Sequence, residues 1–393
     1  MNGNCVAATA PANRSWVSGL MVAAAALLVA VVLRYDMLVL GLTPLQENTY
    51  PNGTWPYLAR SAAFALAALL AFFAIIRLPG RSRLPADSEP VHWARALIWI
   101  SVVSTVASVA LFVVNPFGYH ILSLEDHVVE MLSALFALEA ALVLAATAVY
   151  VLRAQRRRGI AAFICLMALA SACFLVGVEE VSWGQRVLDL DTPDAIRALS
   201  ERNELNFHNM QTAFFEFAYY FGLFLFFIVA PVVHSRTNVF QRLAPVGQFV
   251  PTWTSALVAA PAFGYNYVFW NLAFTQVSFW FTFAFLVWHL KNLLRERAVA
   301  TTVAAGAVLA TFLGSQFIFL FHGEMFLAIR LWDATEYKEA ILPFALLVYA
   351  IVLAHRLRGS GGMDRTAVGS PLSGTDSVTR RADDGREQLR RAA

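Results

Sequence analysis

Residues 159–178 read GIAAFICLMALASACFLVGV, and residues 179–211 continue EEVSWGQRVLDLDTPDAIRALSERNELNFHNMQ. The first part is an uncharged apolar run close to the roughly 20 residues that cross a bilayer as a helix. The second part is its opposite. It holds two adjacent carboxylates (Glu179 and Glu180), a Ser-Trp-Gly-Gln-Arg string from Ser182 to Arg186, and an Asn-Phe-His-Asn string from Asn206 to Asn209. A plain connector between membrane helices needs none of these groups. Charge at a membrane boundary is costly and marks a use.

The same apolar signal repeats along the chain. Of its 393 residues 59% are hydrophobic and 14% charged, whereas a soluble domain carries about 25% charged residues. Mean hydropathy is +0.60. The runs are continuous and do not alternate, which excludes a transmembrane barrel. The reading is an all-α polytopic transmembrane bundle of about ten spans. They fall near 16–33 (or to 42), 57–76, 94–114, 128–152, 159–178, 212–233, 250–266, 267–290, 298–321 and 341–354. Pro251, Pro261 and Gly264 interrupt the seventh. Thr192-Pro193-Asp194 reads as a helix start, so a short helix is expected over 193–202.

Net charge is +3. Its basic residues, RAQRRR at 153–158 above all, sit in short loops and the C-terminal tail. That distribution sets topology and does not indicate nucleic-acid binding. Arginine-rich loops follow the second, fourth, sixth and eighth spans, so both termini are expected in the cytoplasm of a bacterial inner-membrane protein. Three domains result: a cytoplasmic start (1–15), a transmembrane domain (16–355) with an extracytoplasmic segment at 179–211, and a disordered cytoplasmic tail (356–393). The start reads as an uncleaved signal anchor. Cys165 and Cys173 share one apolar run and read as small buried hydrophobes; Cys5 precedes every run.

This topology puts the acidic and histidine clusters on one membrane face. They are Glu125-Asp126-His127 with Glu130, Glu179-Glu180, His208, His322 with Glu324, and Glu336 with Glu339. Asp126, Glu130 and Ser133 follow i, i+4, i+7 and share a helix face. The helix dipole accounts for first-turn acids such as Asp126. It does not account for Glu179 and Glu180, which close a helix and oppose its dipole. If that helix continued, Glu179, Ser182 and Arg186 would share a face. Glu139 lies near the middle of its span, and Glu216 and Tyr219 sit about a turn apart further on. The chain holds no HExxH, HxxxH or CxxC motif, so no single string specifies a metal.

An oxygen-rich set with one imidazole suits a hard or borderline divalent ion. The expectation is therefore a metal-assisted hydrolase or transferase acting on a lipid or lipid-linked substrate at the extracytoplasmic face. Glu130, Glu179, Glu180 and Glu339 are the candidate catalytic residues. Trp183, Gln185, Arg186 and Asn209 are the candidate substrate contacts. Glu180, His208 and Glu336 are the candidate ligands of a divalent metal. Two other readings stand beside it. One is a proton-coupled transporter, from Glu139 and the broken seventh span. The other is a structural or assembly partner, with the acids paired to Arg186, Arg197 and Arg202. The bilayer is the expected partner, nucleic acid is not, and the sequence is silent on oligomeric state.

The strings LEDHVVEMLSA, GVEEVSWGQRVLDLDTPDAI, NELNFHNMQ and ATEYKEA resemble a family of bacterial multi-pass membrane proteins. That family is marked by E-D-x-x-V-E, E-E-x-S-W-G-Q and N-x-H-N strings. The resemblance covers the middle and the last quarter of the chain. It implies that these positions matter and names no substrate.

Overall fold

The computed structural model of the chain describes residues 12–42, 54–78, 92–124, 127–185, 188, 191–192, 212–237, 239–242, 246–265, 272–326 and 335–367. The described part is helical, with no strand. The long helices are α1 (Ala12–Val39), α2 (Trp55–Ile76), α3 (His92–Val114), α5 (Val128–Gln155) and α6 (Ile160–Glu180). The short α4 (Pro116–Leu122) joins α3 to α5. Helix α7 (Thr212–Phe224) passes through a π-turn at Leu225–Val229 into α8 (Ala230–Arg236). Then come α9 (Val239–Arg242), α10 (Trp253–Ala259), α11 (Leu272–Glu296), α12 (Val299–Phe326) and α13 (Thr335–Ala367). Among the described residues, nine helices are long and apolar enough to cross a membrane.

Small residues set the central packing. Helix α5 buries Ala134, Ala137, Ala141, Leu144, Ala148 and Val151 along one stripe, the helical period of a packed face. Helices α6 and α13 pack against α5. Gly177 of α6 is the point of closest approach. A Cβ there would lie 2.8 Å from Leu138 Cγ and 3.1 Å from the Ala134 carbonyl oxygen. Close backbone approach at small residues is how helices gain packing in lipid, where burial of apolar surface gives little drive. Because α5 and α6 are antiparallel neighbours, the first turn of α5 and the last turn of α6 meet at one end. The first turns of α13 join them there. This is the acidic end of the bundle; the arginines of 153–157, Arg236 and Arg356 lie at the opposite, basic end.

Several elements differ from the sequence reading. The loop expected after α3 contains α4. Asn115 caps it, its side chain accepting from the Gly118 amide at 2.9 Å, with Pro116 at the first helical position. Helix α13 starts at Thr335, so Glu339 is helical, and it continues to Ala367, into the stretch read as tail. The expected seventh span is not one helix. A 3-10 turn (Val246–Phe249), α10 and a second 3-10 turn (Ala260–Gly264) replace it, and residues 249–265 are buried except half-buried Trp253.

This broken segment is held at each level. The Phe249 carbonyl accepts from Tyr349 Oη at 2.8 Å, and the Val258 carbonyl from Ser101 Oγ at 2.8 Å. A Cβ on Gly264 would lie 2.8 Å from the Phe312 carbonyl oxygen. Tyr265 Oη and Ser108 Oγ share a hydrogen bond. The segment thus runs from the level of Tyr349 and Arg356 to that of Tyr265, whose ring packs on Phe319. The helix expected over 193–202 lies outside the described residues.

Helix α1 packs against α2. Between them sits an ion pair that the sequence reading missed. Arg60 Nε lies 2.6 Å from Asp36 Oδ1, and Arg60 Nη2 lies 2.8 Å from Asp36 Oδ2. Both side chains are under a tenth exposed. A two-pronged guanidinium–carboxylate contact satisfies both charges at a depth where either alone would be costly.

Candidate functional site

Four helices bring polar groups to the acidic end. Helix α5 supplies Glu130 and Ser133, and α6 supplies Glu179 and Glu180. Helix α7 supplies Tyr219 and Tyr220, and α13 supplies Lys338 and Glu339. Ser133, Tyr220 and Lys338 are almost wholly buried and form the floor. The four glutamates are half-buried above them.

The contacts are specific. Tyr220 Oη donates to Glu339 Oε1. Ser133 Oγ lies 3.4 Å from the Glu339 carbonyl oxygen and within hydrogen-bonding reach of the Glu180 carboxyl. The side chains of Glu339, Glu130 and Glu179 lie within electrostatic reach of Glu180. Lys338 Nζ stands 4.2 Å from the centre of the Tyr220 ring and 5.3 Å from that of Phe274 on α11. Its cation is held by aromatic faces, beside the carboxylates. The Tyr219 hydroxyl is buried near Glu180 and Glu339 with no hydrogen-bond partner among the described residues.

Beyond Glu180 the chain does not continue the helix. Ser182 (φ 46°), Trp183 (φ 56°) and Gly184 (φ 76°) all take left-handed backbone angles. Only the glycine adopts that region without strain. The expected shared face of Glu179, Ser182 and Arg186 is therefore not formed. The turn instead points the Trp183 indole back, and its Nε1 donates to Glu179 Oε1 at 2.6 Å. Gln185 is buried, and its Nε2 donates to Thr192 Oγ1 at 2.5 Å, tying the start of the following stretch. Strained backbone beside a polar cluster is a feature of functional sites.

A second aromatic layer lies behind Lys338. The Tyr337 ring stacks on Tyr119 at 4.1 Å, and Tyr337 Oη donates to the Tyr119 carbonyl at 3.2 Å. Burial, with Tyr265 and Tyr337 adding to it, pushes the Tyr119 phenol well above its ordinary range. It is a neutral packing group at working pH.

Of the sequence candidates, the described structure brings together Glu130, Glu179, Glu180 and Glu339, with Trp183 on Glu179. Arg186, His208, Asn209 and the pair Glu125 and Asp126 lie outside the described residues. Glu336 is described by its backbone alone. Among the described residues no three His, Cys, Asp or Glu side chains group as a metal site. Of the proposed ligand set, Glu180 alone has its side chain among the described residues. Tyr220 and Phe274 were missed because each sits in an aromatic run without polar pattern.

No protein-family model matches the chain, and no curated protein or solved structure matches it. The site must be argued from its own chemistry.

Nine long apolar helices among the described residues make the chain a multi-pass membrane protein. Its acidic end offers paired carboxyls, hydroxyl donors on each, a buried lysine and a buried hydroxyl. Carboxyls this close in a low dielectric favour a shared proton or a bound cation. The set can take up a proton, release one, or hold a positively charged group.

Proposed function

We propose that this protein is an inner-membrane enzyme, a hydrolase or transferase for a lipid or lipid-linked substrate, with its site at the extracytoplasmic face. The observation that carries the reading is the meeting of Glu180 and Glu339 over Ser133 and Tyr220, from four helices, at one end of the bundle. Paired carboxyls with separate donors divide naturally into an acid and a base. Glu339 is the proposed base, its charge steadied by Tyr220 and Lys338. Glu180 is the proposed acid. Trp183, Gln185, Arg186 and Asn209 are the proposed substrate contacts, with Arg186 and Gln185 assigned to an anionic head group. In the metal-assisted form, Glu180, His208 and Glu336 would hold a divalent ion, which would supply activation of water or a hydroxyl. Arginines at the opposite end support ten passes with both termini in the cytoplasm.

The test is replacement of Glu180 and His208 one at a time, with the cell's lipid profile compared at equal protein levels. A shifted profile in both variants supports the reading; an unchanged profile in both sinks it. Metal content of the purified protein tests the metal. About one divalent ion per chain, lost in Glu180→Ala and His208→Ala, is the expected result. A metal-free, well-folded wild type removes the ion and leaves the acid–base pair.

Proton-coupled transport is the second reading, supported by the broken, buried segment 249–265 and by Glu139 within α5. Interrupted helices between full spans are used by transporters to line substrate paths. Uptake into proteoliposomes indifferent to a pH gradient and to Glu139→Gln would exclude it.

A further inference from the structure

The basic end carries a second polar assembly that the acid–base site does not use. Arg236 closes α8, and its guanidinium lies 5.2 Å from the centre of the Trp288 ring on α11. Its Nε is buried and meets no acceptor among the described residues. The next residue of α11, His289, is 5% exposed, and its Nε2 has no hydrogen-bond partner among the described residues. Trp253 links the two, 5.7 Å from Trp288 and 5.1 Å from His289 between ring centres. His234 is buried nearby and lies within electrostatic reach of Arg356. The Arg356 guanidinium donates to the carbonyls of Gln248 at 2.9 Å and Val250 at 3.4 Å.

The charge at this end is one-sided. Arg153, Arg157, Lys291, Arg295 and Arg358 are exposed there. Among the described side chains Glu296 is the only acid at this end, and it too is exposed. A buried guanidinium nitrogen without an acceptor is costly, and such groups in native proteins mark a bound water or ligand. The planar fork of arginine matches phosphate oxygens. An indole beneath it fixes the fork in place. At the basic end of a membrane bundle the phosphates at hand are those of anionic headgroups, which bind in basic pockets between helices. We propose that Arg236, seated on Trp288 beside His289, binds a phosphate-bearing anion, the headgroup of an anionic phospholipid.

The test uses the full-length chain purified in phosphatidylcholine with detergent. Phosphatidylglycerol is titrated in and bound lipid is read by native mass spectrometry. Wild type is expected to retain phosphatidylglycerol over phosphatidylcholine. Arg236→Gln should bind it about tenfold more weakly, the size of one charge-assisted bond to phosphate. Arg236→Lys should recover part of the binding, and Arg153→Gln, exposed at the same end, should bind as wild type. Inorganic phosphate forms a separate arm. Thermal protection by phosphate equal to that by phosphatidylglycerol keeps the anion site and assigns it to a soluble anion. Equal retention of the two lipids by wild type, with no protection by phosphate, overturns the proposal without need of any variant. Unchanged binding in a folded Arg236→Gln also overturns it.

Discussion

Tyr220 on α7 donates its hydroxyl hydrogen to the carboxylate of Glu339 on α13, across 119 positions of sequence. The same phenol ring lies under Lys338 Nζ. One side chain therefore fixes both a carboxylate and its neighbouring cation. Tyr220→Phe keeps the ring and removes only the donor. The expected loss of stability is about 1.5–3 kcal/mol, the range for a hydrogen bond to a charged group. It should appear as a lower unfolding midpoint in detergent. If Glu339 is the base, activity should fall by more than the folded fraction does. An unchanged midpoint and activity would remove Tyr220 from the site.

Asp36 and Arg60 make the ion pair between α1 and α2. Removing one partner leaves the other charge uncompensated at depth, a loss of about 3–5 kcal/mol for buried pairs. Arg60→Leu or Asp36→Leu alone should therefore lower the unfolding midpoint in detergent. The double variant Asp36→Leu with Arg60→Leu should restore much of the midpoint, since an apolar pair carries no unmet charge. Equal midpoints of single and double variants would show that the pair does something other than hold these helices.

Gly177 faces Leu138 Cγ and the Ala134 carbonyl. Gly177→Val forces α5 and α6 apart, at a cost of about 1–3 kcal/mol for overpacking. Because Glu179 and Glu180 follow within one turn, the displacement also moves the carboxyls. Activity should drop more steeply than expression. Full activity in a Gly177→Val protein would show that the α5–α6 contact does not position the acids.

Gly184 sits at φ 76° and ends the left-handed turn after α6. A side chain there strains the backbone by about 1 kcal/mol. Gly184→Ala should loosen the turn and with it the Trp183–Glu179 hydrogen bond. Trp183→Phe removes the same bond without backbone strain. Both should change activity in the same direction if the bond matters, and opposite effects would separate the turn from the bond.

The long helices were legible because lipid demands long uninterrupted apolar runs. So was the gathering of Glu130, Glu179, Glu180 and Glu339 toward one end, since it follows from alternating crossings and arginine placement. Helix α4 was also readable: Asn115-Pro116 is a cap followed by a first-turn proline, and the polar composition around it obscured the signal. The end of α6 was harder. Gly184 permits a left-handed turn, but nothing in Ser182 or Trp183 announces one. Tyr220, Phe274 and the Asp36–Arg60 pair were not legible at all. Their roles depend on which helices become neighbours, and sequence periodicity carries no such information. The span expected over 250–266 was read as interrupted from its prolines, but the burial of residues 249–265, all but half-buried Trp253, comes from the tertiary packing.

The most direct test of the account is turnover by purified protein. Wild type and Glu180→Gln are placed in vesicles made from extracted bacterial inner-membrane lipid, and the lipids are followed by mass spectrometry. The account predicts that wild type converts at least one species to product and that Glu180→Gln slows this by about 100-fold or more, the scale of general acid–base catalysis. Equal conversion by both proteins, or none by a well-folded wild type supplied with divalent metal, would contradict it.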